Sequence, residues 1–283
     1  MASSTIEIRN ANAKVNLALR ITGKRSDGYH TISTLFQEID LKDRLKFQKA
    51  DDFNFSCSNP DLPQNNDNLC VAAYHQFRNR LAYSPPEHFA IHLEKNVPIG
   101  AGLGGGSSDA ATVINFLNSY WNDPLSQQQL LDLSKDLGAD VPFFLKGGTQ
   151  AGNGIGDKLT EIEIRADFKI LCVIPDFSIS TKWAYSNFSL TNQKDRFNFE
   201  RLISNGKPKW QLFENQFEKI ISQSYPEISK IKRDLLEQGA KYAGLSGSGS
   251  TVIGVFEEDF PMDSILSKFN PYKTFITKPV KNI

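Results

Sequence analysis

Between Pro98 and Thr112 the chain reads Pro-Ile-Gly-Ala-Gly-Leu-Gly-Gly-Gly-Ser-Ser-Asp-Ala-Ala-Thr, five glycines running into two serines and an apolar-periodic segment. Without a Cβ, Gly100, Gly102, Gly104, Gly105 and Gly106 can adopt positive φ and bring backbone N–H groups against an anion. A helix expected from Ser107 adds unpaired N–H donors and the positive end of its dipole. The chemistry implied is phosphate binding. Ser107 and Ser108 are expected N-caps, and a capping hydroxyl at an anion site can also meet phosphate or a hydrated Mg²⁺.

Two familiar phosphate loops fail on context. Gly100, Gly102 and Gly105 satisfy G-x-G-x-x-G, but a dinucleotide unit needs the next helix to lead into a parallel strand, and here Ser126 opens a second helix ending near Leu137. Gly244 to Thr251 has two glycines at Walker A spacing, with Ser250 where the lysine belongs. A flexible connector would not be flanked so closely by Pro98 and an amphipathic helix carrying Ala110, Val113, Ile114, Leu117 and Trp121 on one side.

The elements that must hold this loop begin with strand-like runs at Ile6–Arg9, Val15–Thr22 and Thr31–Asp40, interrupted by the turn Ser26-Asp27-Gly28. Further strands are expected at Leu45–Gln48, Phe53–Ser56 and Phe89–Glu94, with a helix over Asn68–Leu81. Gly138 is placed as the left-handed stop of the Ser126 helix. The glycine-dense stretch from Gly147 to Asp157 is the expected domain join, dividing the chain into 1–153 and 154–283. Beyond it come a strand at Lys169–Ile174, helices at Lys182–Asn187, Trp210–Ser222 and Pro226–Gln238, a strand pair at Ala243–Leu245 and Thr251–Phe256, helix Ser264–Phe269 and strand Tyr272–Thr277. Strands and helices interleaved in this way give an α+β fold.

Composition narrows the partners. With 32 basic and 32 acidic residues in 283, no global field draws the chain to nucleic acid or to an anionic membrane, and a small anionic ligand remains. No run approaches the roughly 18 apolar residues of a spanning helix, and Met1 to Lys14 has neither signal-peptide nor transit-peptide character. Cys57, Cys70 and Cys172 are odd in number and lack metal or disulfide spacing, so a reducing, cytoplasmic setting is expected.

The loop resembles the nucleotide loop of the GHMP kinases, which include galactokinase, homoserine kinase and mevalonate kinase. Three further segments narrow the resemblance: Ala13-Lys14-Val15-Asn16-Leu17, Ile21 to His30 with its Gly-Lys-Arg-Ser-Asp-Gly-Tyr-His, and Gly138-Ala139-Asp140-Val141-Pro142-Phe143-Phe144. These resemble the branch that phosphorylates 4-diphosphocytidyl-2-C-methyl-D-erythritol, and Leu245 to Ser250 matches the superfamily's C-terminal glycine motif. The resemblance implies two domains: an N-terminal, ribosomal-S5-like β-α-β kinase domain and a C-terminal ferredoxin-like α/β sandwich, with the active site in the cleft between them.

It also implies ATP and Mg²⁺, an ATP loop from Pro98 and Ile99 through Gly100, Ala101, Gly102, Leu103, Gly104, Gly105 and Gly106 to Ser107 and Ser108, and Ser107 as a candidate at the metal. Lys14 and Asp140 become the catalytic pair, although taken bare they read as a solvated strand lysine and a turn or cap aspartate. Asn16, two residues from Lys14 on a strand, should face the same side. Tyr29 and His30, otherwise hairpin packing and a surface imidazole, become the cytosine-recognition pair, with Thr181 and Tyr185 on the opposite wall. Asp157 stands where the family commonly has Glu. The alternatives are another GHMP kinase, of homoserine or mevalonate type, and a nucleotide sensor that lacks the chemistry.

Overall fold

The computed structural model describes residues 5–189 and 199–281. The first half opens with two long strands, β1 (Glu7–Lys24) and β2 (His30–Ala50), which pair with each other. Each fuses two of the expected shorter strands, because neither Asn10–Asn12 nor Leu41–Arg44 contains a glycine or proline to break the ladder. Strand β3 (Asn54–Cys57) follows, then α1 (Leu69–Asn79), whose N-cap Asn68 accepts the Cys70 N–H, and then β4 (His88–Glu94). Next come α2 (Gly105–Tyr120), α3 (Gln127–Leu137) and the single turn α4 (Val141–Phe144), so the loop is followed by helices rather than by a helix and a strand. Ser126 and Gln129 form a reciprocal capping box at the start of α3. Gly138 closes that helix in an extended conformation, φ 167°, and not as the left-handed stop its residue type suggested.

The glycine-dense stretch makes a hairpin of β5 (Thr149–Asn153) and β6 (Lys158–Glu161), its turn shaped by Gly154 and Gly156 at positive φ. The chain continues through β7 (Phe168–Ile174), α5 (Thr181–Ser186) capped by Ser180, α6 (Phe199–Leu202) and the small hairpin β8 (Ile203–Ser204) and β9 (Lys207–Pro208). It closes with α7 (Glu218–Ser224), α8 (Pro226–Glu237), β10 (Tyr242–Leu245), β11 (Val252–Glu257), α9 (Asp263–Leu266) and β12 (Lys273–Thr277).

The helix expected over Trp210–Ser222 is broken. A 3₁₀ turn covers Trp210–Leu212 and α7 starts only at Glu218. Tertiary hydrogen bonds outweigh local propensity there: Leu19 N–H donates to Glu214 O at 2.9 Å, Gln216 N–H donates to Leu19 O at 3.0 Å, and Asn215 Oδ1 takes the Phe217 N–H at 2.9 Å.

Two compact units emerge. The first contains the chain up to Ala13, Leu41–Ile99 and Gly104–Lys146; the second contains Lys14–Asp40, Gly100–Leu103 and the chain from Gly147 onward, so β1 and β2 contribute to both. In the first unit β3 pairs parallel with β4 across the α1 crossover, a β-α-β arrangement, and β4 pairs antiparallel with the second half of β2. Helices α1 and α2 pack together, and Phe116 of α2 stacks on Phe47 of β2 at 3.7 Å and meets Phe89 of β4 edge-on. Val113, Ile114, Phe116 and Leu117 are all buried on α2, each contributing about 1.5–3 kcal/mol by removal from water, enough to fix the helix behind its glycine start.

In the second unit β5 pairs with the first half of β2, Thr34 opposite Gly152 through Gln37 opposite Thr149. A separate antiparallel sheet runs in the order β10-β11-β7-β12. With its helices the chain order there is β-α-β-β-α-β, the ferredoxin-like pattern. Leu171, Val173, Ile228, Ile231, Leu235, Leu245 and Phe256 form its core.

Candidate active site

In the second unit, Lys14 and Asn16 lie on β1 with one residue between them, which puts both side chains on one face. Lys14 Nζ donates to Asn16 Oδ1 at 2.8 Å and to Gly102 O at 3.4 Å, and lies 5.4 Å from the centre of the Phe36 ring. Asn16 passes the connection on: its Nδ2 donates to Thr34 Oγ1 at 2.7 Å, and Thr34 donates to Ala18 O at 2.7 Å. Lys14 is only 4 % exposed, so the solvated-strand reading of that lysine does not hold. Its charge is kept in place by carbonyl and amide oxygens.

The two glycine motifs are stitched together beside it. Ser246 Oγ accepts the Asn16 N–H at 3.2 Å and donates to Gly102 O at 3.0 Å, while Thr251 Oγ1 donates to Ala101 O at 2.6 Å. Gly102 sits at φ +79°, and a Cβ there would lie 2.5 Å from Ser246 O and 2.9 Å from Gly249 O. A Cβ on Gly247 would lie 3.3 Å from Asn16 Oδ1 and 3.9 Å from Lys14 Nζ. Glycine is demanded at 102 by two backbone carbonyls as well as by φ.

Behind this turn stands Asn215, which no sequence motif marks. It is buried and donates to Leu245 O at 2.7 Å and to Gly247 O at 2.8 Å. The same unit holds the proposed recognition residues. His30 stacks on Tyr185 at 5.1 Å and 20°, and Tyr185 meets Phe217 edge-on at 4.9 Å. Thr181 Oγ1 lies 2.8 Å from Ser248 Oγ. Tyr29 points outward, 64 % exposed, with its backbone N–H on Asp27 Oδ1 at 3.1 Å. Burial, with the charge of Lys24 added, lowers the His30 pKa below its ordinary value, so its ring is neutral at pH 7. Asp157 turns into its own loop, accepting the Ile155 N–H at 3.2 Å.

The first unit presents the start of α2. The helix begins at Gly105, with Gly104 at φ +70° as its cap, and Ser108 N–H already donates to Gly104 O at 3.0 Å. Ser107 and Ser108 are therefore in the first turn and not N-caps, a correction that follows from the ability of Gly105 and Gly106 to enter the helix. Ser108 is buried and Ser107 half-buried. Under this turn Lys95 Nζ pairs with Asp43 and, at 2.8 Å, with Asp109, all three side chains nearly inaccessible. Burial, aided by the negative charge of Asp43, pushes the Asp109 carboxyl up to about 7 against the pull of Lys95. Asp140 precedes α4 at φ −90°, ψ −13°, and its side chain does not cap that helix, so the capping role open to it on sequence alone is not used.

Gly100, Gly102 and Gly104 hold positive φ, a backbone conformation open to glycine without a Cβ penalty. Among the described residues no group of three or more His, Cys, Asp or Glu could hold a metal.

Comparison with known proteins gives these features a family. Residues 68–148 match the GHMP kinases N-terminal domain and residues 192–273 the GHMP kinases C-terminal domain. A 4-diphosphocytidyl-2-C-methyl-D-erythritol kinase of Chloroherpeton thalassium is 43 % identical over 88 % of this chain and 89 % of its own length. One of Chlorobium phaeovibrioides is 43 % identical over 95 % and 94 %. A crystal structure of a 4-(cytidine 5'-diphospho)-2C-methyl-D-erythritol kinase superposes with TM-score 0.82 at 27 % identity, covering 96 % of this chain and 99 % of that one. A mevalonate kinase from Methanococcus jannaschii, TM-score 0.69 at 16 % identity, shares the fold. Identity of this order along nearly the whole length, together with both halves of the superfamily, places the chain among the GHMP kinases and, within them, in the 4-diphosphocytidyl-2-C-methyl-D-erythritol kinase family.

Proposed function

We propose that this chain transfers the γ-phosphoryl group of ATP to the 2-hydroxyl of 4-diphosphocytidyl-2-C-methyl-D-erythritol, a step in non-mevalonate isoprenoid precursor synthesis. The observation that carries the proposal is the 43 % identity to relatives of that name over about nine-tenths of the chain. Membership of the GHMP kinases implies ATP as the donor.

In the proposed reaction the acceptor oxygen attacks the γ-phosphorus, the bond from that phosphorus to the β–γ bridging oxygen breaks, ADP leaves, and the hydroxyl proton passes to Asp140. The step asks for alignment and charge neutralisation more than for covalent chemistry. Lys14, with an immobile ammonium fixed by Asn16 and Gly102, is suited to stabilise the transferring phosphoryl oxygens. Gly100–Ser108 would cradle the triphosphate, and Mg²⁺ carried on it would spread its charge, with the Ser107 hydroxyl within the same helical turn.

Tyr29, His30, Thr181 and Tyr185 would hold the cytidine end. A neutral imidazole can both donate and accept along the polar edge of a base, which the lowered His30 pKa favours. The family domains are taken to divide at 153/154, in keeping with matches at 68–148 and 192–273. A small-molecule substrate agrees with the balanced charge of the chain, and no described helix is long and apolar enough to cross a membrane. The unpaired cysteines fit a cytoplasmic setting.

The test is a substrate panel. ADP release should follow addition of the cytidylyl substrate and not of homoserine or mevalonate; turnover of either of those instead would assign the chain to another branch of the superfamily.

A further inference from the structure

The Lys95 cluster is not used by the chemistry above, yet it joins both ends of the glycine loop. On the entering side, Asp43 Oδ1 accepts the N–H groups of Asn96 at 2.5 Å and Val97 at 2.8 Å, the two residues before Pro98. Its other oxygen pairs with Lys95. On the leaving side, Asp109, one helical turn into α2, pairs with the same ammonium at 2.8 Å. A Cβ on Gly105 would lie 2.9 Å from Lys95 Nζ and 3.0 Å from Val97 Cγ1, so the first helical residue rests directly on the cluster.

Packing alone does not call for this arrangement. Lys95, Asp43 and Asp109 side chains are 6 %, 0 % and 3 % exposed, and Asp109 Oδ1 is buried without a hydrogen-bond partner. A buried ion cluster contributes little net stability compared with apolar residues of the same volume, and a carboxylate oxygen left unsatisfied is a cost. What charges do well is fix geometry, because moving any one member leaves another uncompensated in a dry interior.

We propose that Lys95, clamped between Asp43 and Asp109, is the positioning residue that sets the spacing between the two ends of the nucleotide loop. The role rests on the reading of Gly100–Ser108 as the ATP loop. Loosening the clamp should weaken nucleotide binding and leave the acceptor site alone.

The test uses the full chain and two variants: Asp109→Ala, which cuts the tie to α2 while Lys95 keeps Asp43, and Lys95→Met combined with Asp109→Leu, which removes the pair as a unit. Binding of a non-hydrolysable ATP analogue is measured by calorimetry, KM for ATP and for the acceptor by ADP release, and folding by thermal melting. Both variants should bind the analogue about tenfold more weakly and raise KM for ATP alike, with acceptor KM within about twofold of native, since displacement of a binding frame costs up to roughly a hundredfold. Native affinity in either folded variant overturns the positioning role while leaving the ATP-loop reading intact. Failure of the native chain to bind the analogue overturns that reading itself. If neither variant folds, the cluster is a requirement of the fold and the proposal is wrong.

Discussion

Gly102→Ala strikes the point where the two glycine motifs meet. The new Cβ would be 2.5 Å from Ser246 O and 2.9 Å from Gly249 O, both backbone atoms of one turn, whereas ordinary contact begins at 3.4 Å. The turn must retreat by nearly 1 Å, or residue 102 must abandon its φ of +79°. Holding alanine in the left-handed region costs about 1–2 kcal/mol on its own. Retreat of the turn lengthens the 3.0 Å bond from Ser246 Oγ to Gly102 O and the 3.2 Å bond from Asn16 N–H to Ser246 Oγ, and shifts the carbonyl 3.4 Å from Lys14 Nζ. A displacement of that size at a catalytic frame costs on the order of a hundredfold in rate. The variant should therefore lose about 2–3 kcal/mol of unfolding free energy in urea, from backbone strain and weakened hydrogen bonds together. Its kcat in a coupled ADP-release assay should fall about a hundredfold. Native kcat in a folded Gly102→Ala protein would refute the claim that contact between these two turns sets the site.

Asn16→Ala should destabilise the fold by about 2–4 kcal/mol in urea titration, since it strips buried partners from Lys14 and Thr34; a loss below 0.5 kcal/mol would show that the link is incidental, since even an ordinary hydrogen bond contributes about that much. Tyr29→Ala, at a position 64 % exposed, should leave the melting temperature unchanged and raise acceptor KM roughly 5- to 150-fold, the value of about 1–3 kcal/mol of base stacking, without altering KM for ATP. His30 gains a proton less readily folded than unfolded, so its contribution is present above its ordinary pKa and is lost as pH falls through that value and below. Acceptor KM should accordingly be flat above the ordinary histidine pKa of about 6.5 and rise in acid, a dependence absent from His30→Gln; an inflection above that pH would contradict the assignment.

Much of the local structure could be read from residue types. Ser126 caps the helix its residue type predicts, and the run of helices after Gly106 separates this loop from the dinucleotide pattern. Capping and periodicity act over four residues and leave a local imprint. What escaped was set by distant partners. The helix expected at 210–222 is broken by bonds to Leu19, nearly two hundred residues away, and Asn215 acts through Leu245 and Gly247, with no motif to mark it. Ser107 and Ser108 lie in the first turn of α2 rather than at its cap because glycine, a poor helix former by propensity, starts the helix where Lys95 and Val97 leave little room for a Cβ. Lys95, Asp43 and Asp109 are ordinary residues 52 and 14 positions apart, and only folding makes them a cluster.

The central claim is that Asp140 takes the acceptor proton while Lys14 steadies the transferring phosphate. Its most direct measurement is kcat for phosphorylation of the cytidylyl substrate by Asp140→Ala beside the native chain, with ATP-analogue binding as the control. The account predicts a fall of about 10²- to 10⁴-fold with nucleotide affinity preserved. Near-native kcat in the folded variant would contradict it.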